Sequence, residues 1–221
     1  MTRPLTHALL AACRVEHGFG VRGFEGPADL LRPRQVHGAR AVDAGACARE
    51  PRPDAGAVIS GSPGVAVGVV TADCVPILVA SARGDAVAAI HAGWRGLARG
   101  IVEAGIDAVR HAAAGAPLRA VVGPHIGPCC YEIDGPVIEA LRAPFGAALD
   151  AALVPGRAGH ALLDLGALAR AALLRAGLAP GGVAALPASC TRCDAERFHS
   201  YRRDGARAGR LVHFIAVRRE A

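Results

Sequence analysis

Residues 71–96, TADCVPILVASARGDAVAAIHAGWRG, contain polar side chains next to two uninterrupted apolar runs. The runs PILVA and AVAAI are typical of buried strands, and the ARGD between them is a turn signal. Polar groups at the ends of buried strands cost free energy unless they are satisfied. We therefore expect Cys74 and His91 to belong to a site at the ends of these strands.

Further runs extend this pattern in both directions. AVISG and VAVGVV are also strand-like, and RPRQVHGARAV (32–42) predicts a short strand that carries His37, followed by a loop over 43–56. Helical spacing starts after HAGWRG and predicts one helix. Its apolar positions are Leu97, Ile101, Val102, Ile106 and Val109.

The second half of the chain mixes elements irregularly. AVVG (120–123) and the alternating LVHFIAV (211–217) predict strands, and a helix is expected near 135–143. Asp164 is placed to cap a helix that ends near Gly177. Because a regular βαβ rhythm is missing, we expect an α+β domain with a mixed sheet and not a doubly wound parallel sheet.

Length and composition limit the class of protein. The 221 residues allow one large domain or two small ones, and we predict a single domain over 1–221. With 52% hydrophobic and 4% aromatic residues, Ala, Val and Leu must build the core. No uninterrupted apolar run is long enough to predict a membrane span. The apolar patch near the N-terminus is short for a signal peptide, which favours the cytoplasm.

The basic residues are unusual in kind. All 25 are arginines, so Schiff-base and lysine general-base chemistry are excluded. The formal charge is +6, yet no basic run has the length typical of nucleic-acid arms. We predict no nucleic-acid partner.

The seven cysteines are an odd number in a long chain, which favours a reducing compartment over a disulfide framework. Two of them form a lone CTRC at 190–193. A structural zinc site needs two more ligands at suitable spacing, and Cys129 and Cys130 are adjacent rather than separated. The pattern therefore favours a pair of loop cysteines at CTRC and leaves structural zinc as the alternative.

Three residues at the ends of apolar segments form a candidate metal site. His37, Cys74 and His91 make a His2Cys set, which with an open fourth position suits catalytic zinc. Asp73 is next to Cys74 and is a candidate general base or supporting partner. The same residues allow two other interpretations, a thiolate–imidazole pair of Cys74 with His91 and a copper site with redox chemistry.

Six motifs appear in one order along the chain: QVHGARAV, TADCVPILVA, HAGWRGLARGIVEA, GPHIGPCCYEI, LDLGALARAALLRAGL and CTRCDAERFHSYRRDGARAGR. Together they resemble the YfiH-type family, also described as the laccase-domain or polyphenol oxidase family. The resemblance covers roughly residues 17–217. It implies a single α+β domain with α/β/β/α layers, similar to the catalytic domain of the cytotoxic necrotizing factor. It also implies that His37, Cys74 and His91 hold zinc.

The resemblance implies an activity as well. Family members are described as purine nucleoside phosphorylases acting on adenosine, inosine and methylthioadenosine, with adenosine deaminase activity. Copper-dependent phenol oxidation and peptidoglycan precursor editing are also attributed to the family. A purine nucleoside and phosphate are the implied partners, and a catalytically weak metal-binding protein is the non-enzyme alternative. We expect a monomer or a homodimer.

Substrate contacts are assigned by chemistry and by motif. Phosphate requires cationic donors, so Arg95 after the HAGW turn and Arg202 and Arg203 in SYRRDG are the candidates. Gly127 is a further candidate for the pocket lining. Family members usually have a long segment before QVHG, whereas only 14 residues, 23–36, separate Arg22 from His37. We therefore expect the contacts made by that segment to be missing or replaced.

Overall fold

The structure is a computed structural model that describes residues 2–187 and 190–219. The strands are β1 Val15–Gly18, β2 Arg34–Gln35, β3 Ala41–Asp43, β4 Asp54–Ala55, β5 Ala57–Ser60, β6 Ala66–Thr71, β7 Val75–Ser81, β8 Val87–Ala92, β9 Leu118–Val122, β10 Glu132–Asp134, β11 Leu153–Pro155, β12 His160–Leu163, β13 Val183–Ala185 and β14 Leu211–Val217. The α-helices are α1 Ala8–Ala11, α2 Trp94–Ala98, α3 Ile101–Ala112, α4 Gly135–Phe145, α5 Ala147–Ala152, α6 Leu165–Arg175 and α7 Tyr201–Asp204. Short 3-10 segments cover Ala44–Cys47, Pro180–Gly182 and Gly205–Arg207.

A six-stranded mixed sheet forms the centre, in the order β13-β9-β7-β8-β5-β3. Its four middle strands pair antiparallel, while β13 pairs parallel to β9 and β3 parallel to β5 at the two edges. The hairpin β7–β8 is formed by the stretch TADCVPILVASARGDAVAAIHAG. Its register places Pro76 opposite His91, so residues 74 and 91 lie at the same end of the hairpin.

Both faces of this sheet are buried, which explains the continuous apolar runs of β7 and β8. On β7, Ile77 and Val79 face a core shared with α3 and α6, whereas Leu78 and Ala80 face a second core. A three-stranded sheet, β1-β14-β6, covers that second core. Each buried Ile or Leu contributes about 1.5–3 kcal/mol relative to full exposure.

Smaller sheets complete the fold. Strands β10-β12-β11 form a three-stranded antiparallel sheet beside α4 and α5, and β2 pairs with β4 in a two-stranded one. Short α1 packs beside β1 and β9. The predicted α+β fold with mixed sheets is confirmed. Helices α3 and α6, the six-stranded sheet and the sheet β1-β14-β6 form successive layers in this order. The likeness to the cytotoxic necrotizing factor domain stays a prediction.

Three predicted elements were wrong in detail, and one of them is the loop predicted over 43–56, which contains the 3-10 segment Ala44–Cys47 and strand β4. The strand predicted over 32–42 is two short strands, and His37 lies in the bend between them. The single helix predicted after HAGWRG is α2 and α3, separated by Gly100 at a φ of 80°. Glycine adopts this left-handed conformation without a steric penalty, so the chain turns there and still buries all five predicted apolar positions.

The remaining element predictions are confirmed. Asp164 caps α6, with its carboxylate accepting from the N–H of Ala167 at 2.8 Å, and Gly177 follows the helix at a φ of 88°. Within residues 2–187 and 190–219, no helix has both the length and the hydropathy needed to cross a membrane.

Candidate metal centre and its surroundings

Three predicted ligands meet at one end of the β7–β8 hairpin. Cys74 directly precedes β7, His91 lies in β8, and His37 reaches them from the bend after β2. Their potential ligand atoms all lie within 4.8 Å of one another. Cys74 Sγ is 3.9 Å from His37 Nε2, and the two imidazole centroids are 5.2 Å apart. We call these three residues the histidine–cysteine cluster.

A glycine makes this convergence possible. Gly93 follows β8, and a Cβ built on it would lie 2.9 Å from Cys74 Sγ and 3.0 Å from His37 Cδ2. Real Cβ atoms rarely tolerate such contacts, so any side chain at position 93 would force the two ligands to shift. The glycine of the HAGWRG motif therefore has a packing role in the cluster.

The ring of His91 is held by Gln35 of β2, a strand that belongs to a different sheet. The Gln35 amide donates to the Val70 carbonyl at 2.7 Å and accepts from the Val70 N–H at 2.6 Å, and these two bonds hold its present orientation. Its nitrogen also lies 2.5 Å from Nδ1 of His91. This leaves Nε2 of His91 buried and without a hydrogen-bond partner among the described residues.

Burial keeps the cluster uncharged in the absence of a metal. It lowers the pKa of His91 to about 3, with further lowering by the charges of His37 and Arg210. It also raises the pKa of Cys74 to about 12, supported by the charge of Asp73 and opposed by Arg210 and Arg95. The imidazole is thus neutral near pH 7, as metal ligation requires, whereas the thiol must lose its proton on binding.

The donor set fits a divalent metal. A buried, unpartnered ring nitrogen costs free energy, and ligation removes that cost. Two imidazoles and one thiolate are borderline-soft ligands of the kind that zinc accepts, with one position left open. Ligation through Nε2 of His91 requires the ring proton on Nδ1, so the Gln35 amide must then reorient.

Asp73 supports the cluster from a strained backbone position. It has a φ of 91°, which is costly for a residue with a side chain. Its carboxylate accepts from the Thr191 hydroxyl at 2.6 Å, the Ser200 hydroxyl at 3.1 Å and the Arg202 N–H at 2.6 Å. Three donors on a buried carboxylate favour the supporting role over the predicted general-base role.

The three arginines predicted to contact substrate differ in how many of their guanidinium N–H groups are already hydrogen-bonded. Within the described chain, Arg95 has no hydrogen bond or ion pair, and its guanidinium lies 4.3 Å above the Trp94 ring. Arg202 donates to the Glu132 carbonyl at 2.9 Å and lies over the ring of Tyr131.

Arg203 is engaged at every guanidinium nitrogen. It donates to the carbonyls of Thr191, Arg192 and Phe198 and to the carboxylate of Asp204. This favours a role in holding the loop together over the predicted substrate contact.

A small pocket of about 240 Å³ adjoins Arg202. Trp94, Tyr131, Glu132, Asp134 and His160 contribute to its lining. Burial raises the pKa of Tyr131 to about 12, and the charge of Cys74 adds to this effect, so the pocket lies within electrostatic reach of the histidine–cysteine cluster. Sequence reasoning missed Tyr131, although it stands in the GPHIGPCCYEI motif.

A second group of potential ligands lies where the sequence favoured loop cysteines and left structural zinc as the alternative. The sulfur atoms of Cys129, Cys130, Cys190 and Cys193 all lie within 4.8 Å of one another, and we call these residues the cysteine cluster. They are not joined by disulfides. Their adjacency in sequence argues against a shared site, yet the turn after Gly127 brings the sulfurs of Cys129 and Cys130 to the CTRC loop.

Gly127 lies beside the cysteine cluster. A Cβ at this position would be 3.3 Å from Cys190 Cβ and 3.4 Å from Cys129 Sγ. The residue also lines a cavity of about 1190 Å³, together with His125, Asp164 and part of the cysteine cluster. The lining of this cavity includes none of His37, Cys74 and His91, so its size alone does not mark the reactive centre.

Comparisons with known proteins find curated relatives over most of the chain. A purine nucleoside phosphorylase of Pseudomonas aeruginosa is 39% identical over 183 residues, which are 82% of this chain and 71% of the relative. An adenosine deaminase from an unknown prokaryotic organism is 32% identical, over 82% of this chain and 72% of the relative.

Solved structures show the same fold. A Neisseria meningitidis protein of the DUF152 family has a TM-score of 0.78 at 37% identity, covering 86% of this chain and 75% of the other. A Bacillus licheniformis protein, YfiH, has a TM-score of 0.82 at 26% identity, covering 93% of both chains. The family model described as multi-copper polyphenol oxidoreductase laccase matches residues 20–218. With nearly the whole chain matched, this protein belongs to that laccase-like, YfiH-type family.

Proposed function

We propose that this protein is a zinc-dependent purine nucleoside phosphorylase that acts on adenosine, inosine and methylthioadenosine and also deaminates adenosine. The observation that carries the proposal is the convergence of His37, Cys74 and His91 around a buried, unpartnered Nε2. The names of the relatives from Pseudomonas aeruginosa and the unknown prokaryote supply the two activities. His37, Cys74 and His91 would hold the zinc, which when bound would supply Lewis acidity.

The protein's own part in phosphorolysis begins with the anion. A phosphate oxygen forms the bond to C1′ of the ribose as the bond to the base breaks and its electron pair leaves with the base. Arg95 is the proposed phosphate ligand, because its guanidinium is near enough to the cluster to lower the pKa of His37, after the larger effect of burial, and to oppose the burial that raises the pKa of Cys74. A guanidinium with free N–H groups offers two parallel hydrogen bonds to phosphate.

The nucleoside is proposed to bind between Arg95 and the small pocket. Trp94 and Tyr131 provide apolar ring surfaces there, and Glu132 and Asp134 provide acceptors for ribose hydroxyls. The segment 23–36 is short relative to the family pattern, so we expect the ribose to be held loosely. This predicts weak, promiscuous turnover with a high Michaelis constant.

The deciding experiment is turnover of adenosine and inosine, with and without phosphate, on protein of measured zinc and copper content. We expect free base and ribose 1-phosphate only with phosphate, and inosine from adenosine without it. Zinc-loaded protein that forms neither product would overturn the proposal. Oxygen uptake on phenols that follows copper content would support the copper oxidase alternative.

Substitution of Arg95 tests the assigned anion site. Removing one charge-assisted contact costs about 2–3 kcal/mol in a dry site, so Arg95→Ala should lower phosphorolysis roughly a hundredfold with zinc content unchanged. Arg83→Ala is the matched control, because Arg83 lies in the turn at the opposite end of the β7–β8 hairpin. Equal losses in the two variants would contradict the role of Arg95.

A further inference from the structure

The cysteine cluster joins two loops that are distant in sequence. Cys129 and Cys130 lie on a tight turn in which the N–H groups of Cys130 and Tyr131 both donate to the Gly127 carbonyl at 3.0 Å. Cys190 and Cys193 come from the CTRC loop. All four side chains are free thiols, two exposed and two partly buried.

The sulfur spacing matches a tetrahedral metal site. Cys129 Sγ and Cys193 Sγ are 3.7 Å apart, and Cys130 Sγ and Cys193 Sγ are 3.3 Å apart. Zinc binds thiolates at about 2.3 Å, and a regular tetrahedron of that radius has sulfur–sulfur edges of about 3.8 Å. A disulfide would need about 2.05 Å. The four sulfurs therefore surround a position from which one ion reaches them all with small adjustments.

Backbone N–H groups already point at one of these sulfurs. Gly127 donates to Cys190 Sγ at 3.2 Å, and the N–H groups of Arg192 and Cys193 also donate to it. The Arg192 guanidinium contacts Cys130. Four thiolates around a dication carry a net negative charge, which these donors and this cation offset. A CxxC turn whose first sulfur accepts following N–H groups is thus prepared for thiolate ligation.

We propose that Cys129, Cys130, Cys190 and Cys193 bind a structural zinc ion, separate from the metal of the histidine–cysteine cluster. Four protein ligands close the coordination sphere, as in structural sites, whereas three ligands leave a position open for chemistry. A fully loaded chain therefore holds two zinc ions with different roles. This inference does not depend on the proposed enzymatic activity.

The second ion would fix the loop that supports Asp73. Thr191 lies between the two CTRC cysteines, its N–H donates to the His125 carbonyl at 3.1 Å, and its hydroxyl donates to Asp73. The N–H of Ile126 donates to the Asp73 carbonyl at 3.0 Å. Binding at the cysteine cluster thereby anchors both segments that touch the residue next to Cys74.

Metal counting on the full chain tests the proposal. Protein purified under reducing conditions should contain two zinc ions, Cys74→Ser should contain one, and Cys129→Ser with Cys193→Ser should also contain one. The two replaced cysteines of the double variant are exposed, so misfolding is not expected. Cys13→Ser is the matched control, because Cys13 is a thiol outside both clusters, and it should keep two ions.

X-ray absorption on zinc-loaded Cys74→Ser protein provides a test without changing the cysteine cluster. We expect four sulfur neighbours at about 2.3 Å. A zinc count of one that disappears in Cys74→Ser would overturn the proposal. A Cys190–Cys193 disulfide that oxygen forms in the presence of excess zinc would also overturn it, in favour of a redox-active dithiol.

Discussion

The histidine–cysteine cluster and the cysteine cluster are built by different parts of the fold. The first takes His91 and Cys74 from one end of a central hairpin and adds His37 from a bend, so the buried sheet sets most of its geometry. The second uses two loops and lies partly in solvent. The sheet delivers three ligands and an open position, whereas the loops deliver four ligands that can enclose an ion.

The two clusters also differ in the pKa values of their thiols. Burial and Asp73 raise the pKa of Cys74 to about 12, so this thiol keeps its proton until a metal arrives. Burial also acts to raise the pKa of Cys190, but the N–H donors of Gly127 and Cys193 outweigh it and lower the value to about 7. The backbone therefore prepares only Cys190 of the cysteine cluster for a thiolate, because burial raises the pKa of Cys129 and the hydrogen bond with Cys130 raises the pKa of Cys193. The thiol of the histidine–cysteine cluster loses its proton only when the ion binds.

The first prediction concerns the histidine–cysteine cluster, which one added methyl group should distort. Gly93→Ala places a Cβ within 3.0 Å of two ligands, and Gly93 has an ordinary φ of −78°, so the effect is steric and not conformational. We expect affinity for the metal to fall at least as far as when a supporting contact is lost, roughly 10–100-fold. Competitive zinc titration measures it, and the cysteine cluster should be unaffected.

Gly135→Ala is the matched control for this substitution. Gly135 is the first residue of α4. A Cβ added there would have no atom within 4 Å, and the φ of Gly135 is not positive. Its zinc affinity should equal that of the unchanged protein. If Gly93→Ala also keeps full affinity, the ligands move freely and the sheet does not set their geometry.

The second prediction concerns the residue that connects the two clusters. Asp73→Asn removes the charge that accepts three hydrogen bonds, which should lower the free energy of unfolding by about 1–3 kcal/mol. We expect zinc at Cys74 to be retained and the shape of the pH–rate profile to be unchanged, as for a positioning residue. Asp85→Asn, in the far turn of the hairpin, is the control.

A different result would restore the catalytic role of Asp73. If stability is unchanged while turnover falls and the acidic limb of the pH–rate profile disappears, Asp73 acts as the general base. Denaturant unfolding and turnover between acidic and neutral pH separate the two outcomes.

The histidine–cysteine cluster could be predicted from the sequence because Cys74 and His91 lie beside strands whose apolar runs are recognisable in the sequence. The runs around Cys74 and His91 are buried on both faces, and the two residues are related by a hairpin whose turn is visible in the sequence. His37 was found by chemistry and motif, although its local structure was predicted incorrectly. Its bend depends on β2 pairing with β4, a contact between two-residue strands that has no periodicity to detect.

The cysteine cluster could not be found in the same way. Its loops have no regular spacing, and their meeting depends on the isolated bridge between His125 and Cys190 and on Asp73 at its unusual φ. Local pattern does not encode such long-range contacts. The adjacent pair at 129–130 was misleading because zinc motifs usually separate their cysteines, whereas a single tight turn here directs both sulfurs the same way.

The last prediction is a Gly→Ala substitution at the cysteine cluster, the counterpart of Gly93→Ala at the histidine–cysteine cluster. We expect it to have the smaller effect. In Gly127→Ala the new Cβ lies 3.3 Å from Cys190 Cβ and 3.4 Å from Cys129 Sγ, so the neighbours must give way by only a few tenths of an ångström. The N–H of residue 127 that donates to Cys190 is retained. Because loops yield more easily than a buried hairpin, we expect zinc affinity at the cysteine cluster to fall less than about tenfold. Titration in the Cys74→Ser background isolates this site, and a loss as large as that of Gly93→Ala would show that the loops are as rigid as the sheet.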